Sequence, residues 1–227
     1  MEFLLASSSP RRRQLLAQLG LTFTIQAADI DETMDPARSP SQEVGRISAQ
    51  KAAAVAAAPE TIVIAADTIV CMDGRILGKP KTEDEAFSML RGLAGRGHEV
   101  LTGLTVRQAG RSLTQVERTR VQFRPCRDEE LRAYIATGEP MDKAGAYGIQ
   151  GLASIFVERI EGDYYNVVGL PLCTLARMLE QFGVFLLRCC LLYTSSSRRA
   201  TCCPLCATPT SLARAFPSRS GCGPAAA

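Results

Sequence analysis

Hydrophobic and polar positions change rhythm several times along the chain, and each change predicts an element. Residues 3–6 form a short apolar run that ends in three serines, after which leucines recur at helical spacing as far as Gly20. This predicts a strand followed by a helix, with Ser9 as N-cap, Pro10 at the first helical position and Gly20 as the stop. An acidic loop follows at 27–36. Residues 41–58 are Ala-rich with a helical stripe and are closed by Pro59. Residues 61–77 are strongly β-forming, with Asp73-Gly74 as a hairpin turn. Thr82 and Glu85 predict a capping box that opens a helix to Leu93. Residues 98–123 read as two antiparallel strands joined at Ala109-Gly110. Asp128 is the predicted cap of a helix to Thr137, and a loop over 138–151 precedes a strand at 153–160. A turn at Gly162-Asp163 and a helix over 171–182 complete the pattern. Strands and helices alternate but hairpins interrupt them, so the expected fold is α/β, a mixed central β-sheet flanked by helices on both faces.

From Val184 onward the pattern stops. Residues 184–227 hold five of the arginines, six of the nine cysteines and no acid. The formal net charge of +3 therefore hides a slightly acidic stretch over 1–183, which argues against a general nucleic-acid surface. Two units are expected, a domain over 1–183 and a Cys/Ser/Arg-rich tail over 184–227 that is disordered or non-native. Cys203 and Cys206 form a CxxC, but a structural zinc site needs a second ligand pair, and His98 is the only histidine. No signal peptide opens the chain, and its longest apolar stretch is too short to span a bilayer. The expected setting is the reducing cytoplasm, with no membrane partner.

Three polar features sit where the pattern disfavours them. Arg11, Arg12 and Arg13 fall in the first turn of a helix, where each cation is disfavoured by roughly 0.3–1 kcal/mol. A bound anion resolves the conflict, since the backbone N–H groups, Ser7 to Ser9 and the guanidiniums would serve one ligand. Lys51 shares the apolar face of Val44, Ile47 and Val55, so it either snorkels or pairs with a negative group. Asp67 alternates with Val63, Ala65 and Ile69, which puts a carboxylate among aliphatic neighbours, where an unpaired charge is costly. Lys79 and Lys81 on a loop and Glu32 in the acidic segment complete a set that suits Mg²⁺ and polyphosphate. There is no Walker motif, no nucleophile elbow, and no base besides His98 for a Ser-His-Asp triad.

Six segments, "LASSSPRRRQLL", "AADTIV", "LGKPKTEDEA", "HEVLTG", "DKAGAYGIQG" and "GDYYNVVGLPL", together resemble the Maf proteins, a family of nucleoside triphosphate pyrophosphatases. The resemblance runs over residues 2–183 and fails beyond. It implies two lobes around a deep cleft, a homodimer, and dependence on a divalent cation (Mg²⁺ or Mn²⁺) at Asp67 and Glu32. Asp67 matches the family's general base. Ser7, Arg11 and Arg12 match its phosphate-binding motif, and Glu32, Lys51 and Lys79 match further cleft residues. Arg11, Thr68 and Gln150 match the positions that separate enzymes for dTTP and UTP from those for methylated nucleotides. The implied reaction is hydrolysis of dTTP and UTP to monophosphate and pyrophosphate. The alternatives are a non-catalytic regulator of septum formation acting through a partner, and a pyrophosphatase for methylated nucleotides.

Overall fold

The computed structural model describes residues 2–35 and 37–187. Strand β1 (Glu2–Leu5) leads into α1 (Pro10–Gln18), where the Ser9 hydroxyl accepts from the Arg12 N–H and Pro10 opens the helix. Strand β2 (Phe23–Ile25) and helix α2 (Pro40–Ala54) follow, and then the long strand β3 (Thr61–Met72) turns through Asp73-Gly74 into β4 (Arg75–Leu77). Both turn residues have positive φ, the conformation that an Asp-Gly hairpin turn favours. Helix α3 (Glu83–Leu93), strands β5 (Gly97–Gln108) and β6 (Arg111–Phe123), and helix α4 (Asp128–Ile135) come next. Three short 3₁₀ turns lead to β7 (Val157–Glu161), α5 (Tyr164–Val168) and α6 (Leu172–Glu180).

The strands form one mixed sheet in the order β2-β1-β3-β5-β6-β7, with β4 paired to β3. β1 runs parallel to both of its neighbours, and every other pairing is antiparallel. Alternation along the strands divides the core. Leu5, Ile62, Ile64 and Ala66 pack with residues of α1, α3, α4 and α6. Leu4, Ala6, Val63 and Ala65 pack on the opposite face with Ala52 of α2 and with Val55, just past its end. Ile69, Cys71 and Leu101 extend that face toward Val44.

Several boundaries differ from the expectation, each for a local reason. Helix α2 ends at Ala54, before Pro59, because Val55 is extended and its carbonyl accepts from the Arg107 guanidinium at 2.8 Å. The box at Thr82 is half made: Thr82 accepts the Glu85 N–H, but the Glu85 carboxylate takes the N–H of Lys81. The N-cap of α4 is Arg127, not Asp128. Its N–H donates to Glu130, a carboxylate that the Arg124 guanidinium and that N–H hold down to about 2 in pKa, while Asp128 pairs with Arg91. Over 153–160 only Val157 onward pairs with the sheet. Leu152–Phe156 is a 3₁₀ turn that buries Ala153 and Phe156. Val184 and Leu186 pack against the core, beyond the expected limit at 183. The tail expectations for 188–227, including the Cys203/Cys206 pair, lie outside the described residues. No helix among the described residues is long and apolar enough to cross a membrane.

Two core positions generate predictions. Gly103 is the residue paired with Asp67 across β3 and β5, and a Cβ on it would strike the backbone carbonyl of Val44 in α2. The missing side chain is what lets α2 lie directly on the sheet. Gly103→Ala is therefore expected to lower stability by about 1–3 kcal/mol, read by urea unfolding, because the helix must lift. An unchanged midpoint would mean that the helix does not depend on this close approach.

His98 is 2 % exposed, with Nε2 2.7 Å from the Tyr147 hydroxyl and Nδ1 without a partner. Burial lowers its pKa to about 4, so it is a neutral core residue rather than a catalytic base. The unfolded chain binds a proton at this position near the ordinary value of about 6.5, and the folded chain does not. Stability from His98 is thus complete above about pH 6.5 and is lost as pH falls toward 4, by about 3 kcal/mol in all. Thermal melts between pH 7.5 and 4.5 are expected to fall less steeply for His98→Gln than for the parent chain.

Candidate active site

Ser7, Arg11, Arg12, Glu32, Lys51, Asp67, Thr68, Lys79 and Gln150, the residues singled out from sequence, all line one cleft of about 600 Å³. That size suits a small-molecule ligand. Its polar walls come from the β1–α1 turn, α2 and β3, and its apolar lining includes Ile69, Ile76, Leu77, Ile149 and Val168.

The polar floor is centred on Lys51. Its Nζ lies 2.7 Å from Asp67 Oδ1 and 2.8 Å from Glu32 Oε1. Lys51 and Asp67 are both buried, at 8 % and 7 % exposure, so this is a pair made under the helix and not a snorkelling side chain. The second Asp67 oxygen accepts no hydrogen bond among the described residues. Glu32 reaches Lys51 from the loop between β2 and α2, and that loop is anchored by residues that the sequence reading passed over. The fully buried Glu43 accepts the Asp35 N–H at 3.0 Å and a two-pronged contact from Arg46, whose guanidinium also donates to the Thr33 carbonyl. Arg46 holds the Glu43 carboxyl below its ordinary range. The available signal was the i,i+3 spacing of Glu43 and Arg46 in the opening turns of α2.

The three arginines of α1 have separate fates. Arg13 is exposed. Arg11 approaches Asp142 at 3.8 Å across the cleft. Arg12 has protein partners of its own. Its Nε donates to the Gly169 carbonyl at the end of α5, and its two terminal nitrogens donate to Thr68 Oγ1 and Ser7 Oγ. Burial lowers its pKa, opposed by Asp67 and Glu32, and it remains a cation. Two of its five N–H groups remain for a ligand. Thr68, also bonded to Thr102, joins this network on the face opposite Asp67. Ser7 accepts from Arg12 and from the Ser9 N–H, which leaves its own proton free to donate.

Lys79 follows β4 and has no ion pair or hydrogen bond among the described residues. Gln150 occupies a turn closed by the Gly151 N–H on the Gly148 carbonyl, and lines the cleft. No cluster of three or more His, Cys, Asp or Glu occurs among the described residues. The donors present are two carboxylates bracketing one ammonium, each with a second oxygen. That set fits Mg²⁺, which is commonly held by one or two carboxylates, waters and substrate phosphates.

The chain matches known sequences over nearly the whole described region. Relatives named dTTP/UTP pyrophosphatase are 53 % identical in Pelotomaculum thermopropionicum (80 % of this chain, 97 % of the relative) and 53 % in Geobacillus sp. (80 % and 98 %). One from Symbiobacterium thermophilum with the same name is 50 % identical, over 80 % of this chain and 94 % of its own length. Residues 2–182 match the family described as Maf-like protein, and the chain belongs to that family.

Proposed function

We propose that this protein hydrolyses dTTP and UTP to the nucleoside monophosphate and pyrophosphate. The observation that carries the reading is the Asp67–Lys51–Glu32 cluster at the cationic end of a nucleotide-sized cleft. The names borne by relatives at 50–53 % identity agree with it. Asp67, held on one oxygen by Lys51, offers the other to a water. That water attacks the α-phosphorus, the bond from the α-phosphorus to the bridging oxygen breaks, and pyrophosphate leaves while Asp67 takes the proton. Arg11, Lys79 and the spare donors of Arg12 and Ser7 are aimed at phosphate oxygens, where charge builds. Asp67 and Glu32 would hold a divalent cation, which neutralises phosphate charge and acts as a Lewis acid when bound.

Gln150 reads the base. Uracil and thymine present O4 as acceptor and N3–H as donor, and one carboxamide satisfies both. The cytoplasmic homodimer implied by the resemblance is part of the same proposal, with nucleotide as the ligand and no nucleic acid.

Asp67→Asn is expected to keep the fold and to lower kcat for dTTP by ~10²–10⁴-fold, measured by pyrophosphate release. Parental kcat in this variant would remove Asp67 from the chemistry and the proposed reaction with it.

Arg11 and Arg12 should separate. Arg12→Gln leaves Gly169, Thr68 and Ser7 without their partner, and is expected to cost the empty protein about 1–3 kcal/mol in a thermal melt. Arg11→Gln loses only a long, exposed ion pair and is expected to melt within about 0.5 kcal/mol of the parent. Its KM for dTTP should rise at least ~10-fold through the lost charge-assisted contact. A parental KM for Arg11→Gln would put the phosphates elsewhere.

A further inference from the structure

Gln150 combines two properties that rarely coexist. Its side chain is exposed in the cleft, and among the described residues its carboxamide makes no hydrogen bond, yet its backbone is held tightly. Ile149 before it is buried, and the Gly151 N–H closes the turn on the Gly148 carbonyl at 3.0 Å. The exit of the turn rests on one carboxylate. Glu139 Oε2 accepts the Leu152 N–H at 3.0 Å, and Oε1 accepts the Tyr134 hydroxyl of α4 at 3.1 Å. Burial first, and then the charge of Glu139, raises the Tyr134 pKa, so the phenol stays a donor. The contact with the turn is close: a Cβ on Gly151 would strike the Glu139 carboxylate, with Oε2 2.6 Å away. The Glu139 backbone is fixed as well, since its carbonyl accepts from Lys143 Nζ at 2.6 Å.

We propose that Glu139 is the positioning residue for base recognition: by gripping the Leu152 N–H and Tyr134 it fixes the turn that presents Gln150 to the pyrimidine. This rests on the reading of Gln150 given above. Glu139 is outside the cleft lining and acts through the Leu152 backbone, two residues after Gln150. A carboxylate suits the task because its two oxygens can serve two donors on different elements. The Leu152 N–H lies at the exposed rim of the turn, where the Glu139 carboxylate takes it in place of solvent.

The test is a kinetic cycle on the full chain with UTP, using Glu139→Ala, Gln150→Ala and the double variant. Glu139→Ala is expected to raise KM by ~10-fold with kcat within twofold, as misplacement of a binding group does. In the Gln150→Ala background the same change should raise KM no further, because coupled residues do not act additively. Glu139→Gln, which keeps an acceptor for Leu152 and a partner for Tyr134, should restore KM to within twofold. A parental KM for Glu139→Ala, or effects that multiply in the double variant, would overturn the proposal. If Gln150→Ala itself leaves KM unchanged, the base-reading role of Gln150 falls and the proposal with it. Gln150→Ala raising KM while Glu139→Ala does not would remove Glu139 alone. Should Glu139→Ala not fold, Glu139→Asp pulls the carboxylate back by one methylene and must show the same KM rise, likewise absent in the Gln150→Ala background.

Discussion

The ion pair between Lys51 and Asp67 is the constraint around which the cleft is organised. Removing two charges from water costs several kcal/mol per ion, and their attraction offsets this only when the geometry is close and remaining oxygens have partners. The pair exists because α2 lies on the sheet at a register position that lacks a side chain, Gly103 beside Asp67. Ser48 reinforces the seat, bonded to Thr105 of β5, which in turn contacts Thr114 of β6. Helix, strand and pair are therefore one device. Glu32 joins it as a second carboxylate on the same ammonium, and its loop is held by Glu43 and Arg46.

Charge at the start of α1 follows from the same logic. A helix N-terminus with three arginines is unfavourable if each depends on solvent, but Arg12 has its own counterparts, a helix-end carbonyl and the fields of Asp67 and Glu32. That leaves Arg11, paired only loosely with Asp142, and the unpaired Lys79 as cations available to a polyphosphate. Fixed and available cations thus lie side by side. The fixed one shapes the pocket through Ser7 and Thr68, and the available ones can follow a ligand.

Much of this was legible from residue order, and the failures have physical causes. Period-two alternation put Asp67 on the face of Val63, Ala65 and Ile69, and the helical stripe put Lys51 among Val44, Ile47 and Val55. Both hold, since strand and helix periods are local properties of the chain. That these two faces meet each other is a tertiary fact that neither period contains. The protein partners of Arg12 were hidden for the same reason: Thr68 and Gly169 lie 56 and 157 residues away. The N-cap at Arg127 was missed because no cap side chain marks it: Glu130, anchored by Arg124, reaches back to accept the Arg127 N–H. Leu152–Phe156 passed for a strand because apolar residues three apart fit a 3₁₀ turn as well as a strand end, and five residues are too few to decide.

The two sides of the cleft are built by different means, and this bears on what each can do. On the polar side, Lys51 and Asp67 project from a long helix and a central strand, whose backbone groups are satisfied by their own ladders. Their placement needs only packing. On the Gln150 side the chain runs through 3₁₀ turns, where the N–H groups of Ala146, Gly151 and Ser154 bond nearby carbonyls and that of Leu152 takes the Glu139 side chain. Polar residues there, Glu139 above all, thus have a structural duty that comes before any contact with a ligand. Thr68 belongs wholly to the polar side: it is the next residue after Asp67 on β3, and its hydroxyl on the other face bonds Arg12 and Thr102. A change at Thr68 would therefore disturb that side by two routes, through the strand that carries Asp67 and through the guanidinium that braces Ser7. A change in the Gln150 turn can alter what is read while leaving the Lys51–Asp67 pair in place.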